Sequence, residues 1–179
     1  MKKKWGLLAW IGSFVVMLDQ FTKYLVDSRL RQGAKIEILP NFLDLVHYRN
    51  PGAAFGMFAQ WDSYGRIFFF YGVSVIAITL LLVYFHKTPA QNKGVLTPLA
   101  MILSGAVSNM IDRVFRGTVV DFILLHWYDK VASFELFGRH YSFELVWPAF
   151  NVADSAISVG VVLLLFASLR SQPHVSVPN

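Results

Sequence analysis

The sequence predicts a mainly α membrane protein, a bundle of four transmembrane helices, and two observations carry that expectation. Of its 179 residues 55% are apolar, with a mean hydropathy of +0.49, which points away from a water-soluble globule. Four windows of about 20 residues with few charges run from Trp5 to Val26, Tyr64 to Phe85, Val95 to Phe115 and Val152 to Leu169, each long enough for a hydrocarbon core roughly 30 Å thick.

The first window opens "MKKKWGLLAWIGSFVVML", a charged start and an apolar run as in a secretory signal, but no small-residue cleavage site follows, so an uncleaved first span is expected. The chain has no cysteine, which removes disulfides, thiolate catalysis and Cys-based metal sites, and also the lipobox of a lipoprotein. The long connection Asp27 to Ser63 carries "IEILPNFLDLVHYRN", whose short apolar runs broken by Pro40, Asp44 and His47 predict one or two short strands on the membrane surface. Windows two and three are joined by "HKTPAQNKG", a turn-rich linker punctuated by Pro89 and Gly94. The second long connection, Arg116 to Trp147, holds "HWYDKVASFELFGRHYSFELVWP", whose aromatics suit the headgroup level and predict an interfacial stretch, not a soluble domain. Trp10, Trp61, Trp127 and Trp147 suit interface anchoring in the same way.

Charge gives an orientation. The two termini and the short hairpin hold six basic residues and no acid in 23 positions, against seven basic residues in the 69 positions of the long connections. By density the short side is cytoplasmic, which puts both termini inside and the loops 27–63 and 116–147 outside. The net charge of +5 is spread among the spans and forms no basic stripe, so no nucleic-acid partner is expected.

Polar residues within or at the rim of spans are costly, and four clusters stand out. In "DQFTK", Asp19 and Lys23 lie four apart on one helical face, which a local ion pair with a snorkelling lysine would explain. In "NPGAAFG", a turn accounts for Pro51 and Gly52, while Asn50 could direct hydrogen bonds to a substrate backbone. In "GAVSNMIDR", Gly105 could serve close helix packing and Asp112 could pair with Arg116, but Asn109 has no such local explanation, and Arg113 shares its helical turn. The fourth cluster pairs "TVVDF" with "FNVAD". Asp121 lies at the outer end of the third span and Asp154 at the outer start of the fourth, so antiparallel neighbours can bring them to one depth, and Asn151 and Asp154 also have capping-box spacing.

The joint pattern says more than each piece. On the proposed topology Asp19, Asn50, Asn109, Asp121, Asn151 and Asp154 all fall on the outer side, whereas the inner loops carry no acid. Two carboxylates facing each other in a partly dry site share a proton, so one serves as base and the other as acid. That pair can activate water against an amide and protonate the leaving nitrogen, which is aspartyl peptidase chemistry. No HExxH spacing and no G-x-S-x-G elbow occurs, so metal and serine routes are not expected.

The blocks "DQFTK", "NPGAAFG", "GAVSNMIDR", "VVDF" and "FNVAD", in this order, resemble lipoprotein signal peptidase (signal peptidase II), the bacterial inner-membrane aspartyl peptidase family. The resemblance covers nearly the whole chain. It implies removal of the signal peptide from a diacylglyceryl-modified prolipoprotein, just before the lipidated lipobox cysteine, with no metal and no cofactor. It maps the catalytic pair onto Asp121 and Asp154, and the supporting and substrate-binding residues onto Asp19, Lys23, Asn50, Gly52, Asn109, Arg113 and Asn151. It further implies a small periplasmic β-sheet cradle and a mobile loop with a short helix, both drawn largely from Asp27 to Ser63. One departure is visible: the stretch from Phe122 to Ala149 is longer than the family pattern, with "YDKVASFELFGRHYSFELV" between the two catalytic blocks. The expected partners are the prolipoprotein and membrane lipids, and the expected state is a monomer in the inner membrane, its site near the periplasmic face. Two rivals remain from the residues alone: a proton- or ion-coupled transporter with its acids nearer mid-bilayer, and a bundle that binds lipoprotein precursors without cleaving them.

Overall fold

A computed structural model describes residues 2–52, 63–136 and 138–170. Helix α1 (Lys2–Arg29) leads into strands β1 (Lys35–Leu39) and β2 (Leu43–Asn50). Helices α2 (Ser63–Lys87) and α3 (Lys93–Arg116) follow as an antiparallel pair. Strands β3 (Val119–Leu136) and β4 (Arg139–Val146) then lead into α4 (Val152–Arg170). Each apolar window lies within one helix, and all four helices are long and apolar enough to cross a membrane. The short helix expected between Asp27 and Ser63 falls on 53–62, outside the described residues.

Helix α3 is the centre of the bundle. Its membrane-length window is 61% buried, against 6% for that of α2, because α1, α2 and α4 all pack on it. The core joins Ile11 and Val15 of α1, Phe85 of α2, Val95, Leu96, Leu99, Ala100 and Leu103 of α3, and Ala156 of α4. The exposed apolar faces of α1, α2 and α4 are what a lipid solvent requires, since hydrocarbon exerts no penalty on them. Helices α3 and α4 approach closely because Gly105 lacks a side chain: a Cβ there would sit 2.7 Å from Ile157 Cγ1 and run into the Ala153 carbonyl.

At one end of the bundle the strands form an antiparallel sheet in the order β1-β2-β3-β4. Of the one or two short strands expected from the first long connection, two are present. The second connection departs from its expectation, because it supplies half of the sheet: β3 pairs with β2 up to Leu125 and with β4 from His126 onward. The reason is a two-residue period that the aromatic content concealed. In register, Ala132↔Phe143 and Phe134↔Tyr141 alternate with Ser133↔Ser142 and Glu135↔His140 along an antiparallel hairpin. A bridge between Ile123 and Phe150 then returns the chain to the head of α4, with Phe150 N–H donating to the Ile123 carbonyl at 3.0 Å.

Candidate active site

That bridge matters for the site, because it sets Asp121 on β3 beside Asn151, the residue that opens α4. The Asn151 side chain does two things at once. Its Oδ1 accepts the Asp154 backbone N–H at 2.9 Å while the Asp154 carboxylate accepts the Asn151 N–H at 3.3 Å, a reciprocal capping box. Its Nδ2 donates to Asp121 Oδ1 at 2.7 Å. The cap expected from sequence is therefore real, and the same amide ties the two aspartates together.

Two more amides complete the arrangement. Asn50 Nδ2 donates to Asp121 Oδ2 at 3.0 Å, and its Oδ1 accepts the Gly52 N–H at 2.8 Å, so the turn fixes which way the amide faces. Gly52 holds that turn at φ +95, and a Cβ there would sit 2.6 Å from the Phe70 ring of α2. Asn109 Nδ2 donates to Asp154 Oδ1 at 2.7 Å. Asp121 and Asp154 are thus linked through Asn151 and Asn109, with Asn50 bonded to the far oxygen of Asp121.

Beneath them lies Lys23, fully buried in α1. An ammonium has three protons to donate, and all three are used: Asp19 Oδ2 at 2.7 Å, Asp112 Oδ2 at 2.8 Å and Asn109 Oδ1 at 3.0 Å. Both carboxylates are themselves fully buried, so the lysine's partners are what make burial of the charges tolerable. Ser108 donates to Asp19, Gln20 to Ser108 and Asp112, and Arg116 to Gln20 and Asp112. The local Asp19–Lys23 and Asp112–Arg116 pairs expected at helical spacing both form, and each is one edge of this larger network.

Arg113 stands differently. Its Nη1 donates to the Asn109 carbonyl at 3.4 Å, and its charge acts on Asp154, Asp112 and Asp121. Among the described residues no hydrogen bond joins it to the carboxylate of Asp121 or Asp154. Asp112, Gln20 and Ser108 are the members that sequence reasoning did not single out as site residues. Asp112 had a signal, since it lies three residues after Asn109 on the same helical face.

Electrostatically Asp121 is held as an acid of raised pKa. Burial pushes it up to about 6, and the nearby Asp154 charge adds to that, while the Asn50 and Asn151 hydrogen bonds and the Lys23 charge pull the other way. Asp121 is 3% exposed, whereas Asp154 is part-buried. No cluster of metal-ligating side chains occurs among the described residues.

A fold of four apolar helices with polar groups gathered at the sheet end, and two amide-linked aspartates among them, can be set against known proteins. The Signal peptidase (SPase) II family profile matches residues 11–170. The chain belongs to the signal peptidase II family. Relatives named lipoprotein signal peptidase include one from Syntrophus aciditrophicus (strain SB), 36% identical over 98% of this chain and 100% of its own length. Another, from Syntrophotalea carbinolica, is 42% identical over 92% of this chain and 91% of its own. One from Staphylococcus aureus (strain MRSA252) is 35% identical over 95% and 93%. Two solved bacterial membrane enzymes, obtained by the in meso method, superpose with TM-scores of 0.73 and 0.71. They are 32% and 33% identical to the chain, covering 97% and 93% of it and 95% of each solved chain. A multi-pass membrane peptidase is therefore the coarse identity of this protein.

Proposed function

We propose that the chain is an aspartic endopeptidase that removes the signal peptide from diacylglyceryl-modified prolipoproteins, cutting just before the lipidated cysteine, with Asp121 and Asp154 as the reacting pair. The observation that carries this reading is the amide bridge itself: two carboxylates from different elements, linked through Asn151 and Asn109, at the end of the bundle where a peptide can arrive. The pair titrates jointly and holds one proton between its members. The ionised carboxylate takes a proton from water as the water oxygen bonds to the scissile carbonyl carbon, and the protonated one gives its proton to the carbonyl oxygen. When the C–N bond breaks, the protonated carboxylate gives its proton to the leaving nitrogen while the other takes a hydroxyl proton from the gem-diol as the carbonyl reforms, so the pair again holds one proton. Asn50, Gly52 and Arg113 line the approach and contact the peptide backbone. Asp19, Lys23, Asn109 and Asn151 hold the geometry.

On this reading the sheet end faces the periplasm, both termini face the cytoplasm, and the protein is a single-domain monomer of the inner membrane bathed in its lipids. The higher density of Lys and Arg in the termini and the short hairpin supports that orientation. A single chain supplies every polar group of the site, which supports a monomer. A transporter is poorly served: Asp121 lies on a strand beyond the end of α3, and Asp154 in the first turn of α4, not at mid-span.

The test uses purified protein in detergent with lipid-modified precursor. Asp121→Asn and Asp154→Asn should each reduce cleavage by about 10³-fold or more. Cleavage that persists in both variants would sink the dyad, and tight binding by a parent that never cleaves would turn the protein into a precursor-binding bundle.

A further inference from the structure

The charged network under the dyad has a symmetry that neither the capping box nor the amide bridge requires. Asp19 spends Oδ2 on Lys23 and Ser108, and its Oδ1 accepts the backbone N–H of Ala153 at 2.8 Å. Asp112 spends Oδ2 on Lys23 and on the backbone N–H of Val120 at 3.1 Å, while its Oδ1 takes Gln20 and Arg116. Ala153 is the residue immediately before Asp154, and Val120 the residue immediately before Asp121. Each reacting aspartate therefore follows a peptide group held by a buried carboxylate, and one ammonium bonds both carboxylates.

We propose that Asp19 and Asp112 are paired backbone clamps which, joined through Lys23, set the separation of Asp121 and Asp154, making Asp112 a positioning residue of the reaction. The inference rests on the reading of Asp121 and Asp154 as the reacting pair. Its physical basis is rigidity. The head of α4 and the start of β3 are separated in sequence by the whole β3–β4 hairpin, and a charged hydrogen bond to the backbone N–H of the residue before each aspartate restrains the main chain leading into it in a way a side-chain contact cannot. All four groups of the chain Ala153–Asp19–Lys23–Asp112 are buried, so water does not loosen it. The spacing of two carboxylates governs how strongly they share a proton, and so governs both the chemistry and the interval between their two titrations. The charged groups around the dyad are Asp19 and Lys23 from α1 and Asp112 and Arg113 from α3, with the Tyr71 hydroxyl of α2 donating to the Arg113 carbonyl.

The experiment measures kcat and KM against pH for the parent, Asp112→Ala and Asp112→Asn, together with thermal stability of each in detergent. Asparagine keeps an acceptor for the Val120 N–H but loses the charge facing Lys23, so it should fall between parent and alanine. In Asp112→Ala kcat should drop by about 100-fold with KM within a few-fold of the parent, the scale expected from misplacing a reacting group by an ångström. The bell-shaped profile should narrow by about one pH unit as the carboxylates move apart. A bell of unchanged width, with activity lost only in proportion to unfolded protein, would overturn the clamp and leave Asp112 as a packing residue. Should Asp112→Ala fail to fold, the width of the Asp112→Asn profile decides by the same criterion. The outcomes also separate the two readings: persistent cleavage by Asp121→Asn and Asp154→Asn removes the dyad, whereas inactive dyad variants with an unchanged Asp112 bell remove the clamp alone.

Discussion

Two aspartates on adjacent strands of one sheet, Asp44 on β2 and Asp121 on β3, are about equally buried, 1% and 3% exposed, yet they are held in opposite states. Burial pushes Asp44 upward, but Lys35 and His126, bonded to one oxygen at 2.7 and 2.8 Å, outweigh it and keep its pKa below the usual carboxylate value. Among the described residues Asp121 has only amides as hydrogen-bond partners, with another carboxylate nearby, so burial prevails. Burial alone therefore does not mark a reactive carboxylate. A cation in direct contact makes a buried acid a structural fastener, and neutral donors leave it able to exchange a proton.

The contrast is sharpest in what substitution should do. Lys23→Met removes the one cation between two buried carboxylates and should cost about 3–5 kcal/mol, seen as a large fall in thermal stability, with cleavage lost in whatever remains folded. Asp44→Asn should cost about 2 kcal/mol by breaking the contacts with Lys35 and His126, yet the folded fraction should keep its kcat. Cleavage abolished by Asp44→Asn at unchanged stability would break the comparison.

The two acids also respond in separate pH windows. Asp121 has its pKa raised from 3.8 to about 6 by folding, so its contribution to stability is complete below pH 3.8 and is lost as pH rises through 6. Asp44 is lowered below 3.8, so its contribution is present above that value and is lost only as pH falls further. Between pH 4 and 6.5 the stability of the parent should decline with rising pH by something on the order of 2 kcal/mol from Asp121. Thermal unfolding across that range should show the decline, and Asp121→Asn should flatten much of it. The smallest effect is expected at Gly52, where Gly52→Ala meets both a positive φ and the Phe70 ring and should lose about 1–2 kcal/mol. Cleavage should weaken along with it, because Asn50 would lose the turn that aims its amide at Asp121.

How much of this was legible beforehand differs between kinds of residue. Asp19, Lys23, Asn109, Asn151 and the aspartate pair could be picked out because polar groups in apolar windows are conspicuous, and the geometry brings all of them together. Asp112 was absorbed into an i to i+4 pair with Arg116 that does exist, and its second oxygen, turned toward Lys23 and Val120, was invisible. Asp44, Lys35 and His126 sit in segments of mixed composition, where nothing local tells a buried carboxylate held by two partners from three solvated side chains. The hairpin of β3 and β4 was hidden because aromatic content and strand period are superposed in the same stretch.

Composition and hydropathy sufficed for the four spans, and local spacing sufficed for the helix cap at Asn151, because both depend on residues within a turn or two of one another. Partnership is a different matter. The contact from Asp19 to the Ala153 N–H bridges 134 positions, and that from Asn50 to Asp121 bridges 71. Such pairs are chosen by the packing of α1 against α4 and by the antiparallel pairing of β2 with β3. Once the helices and sheet have packed, each buried polar group must bond to whatever lies within 3 Å of it, and the folded arrangement determines which group that is.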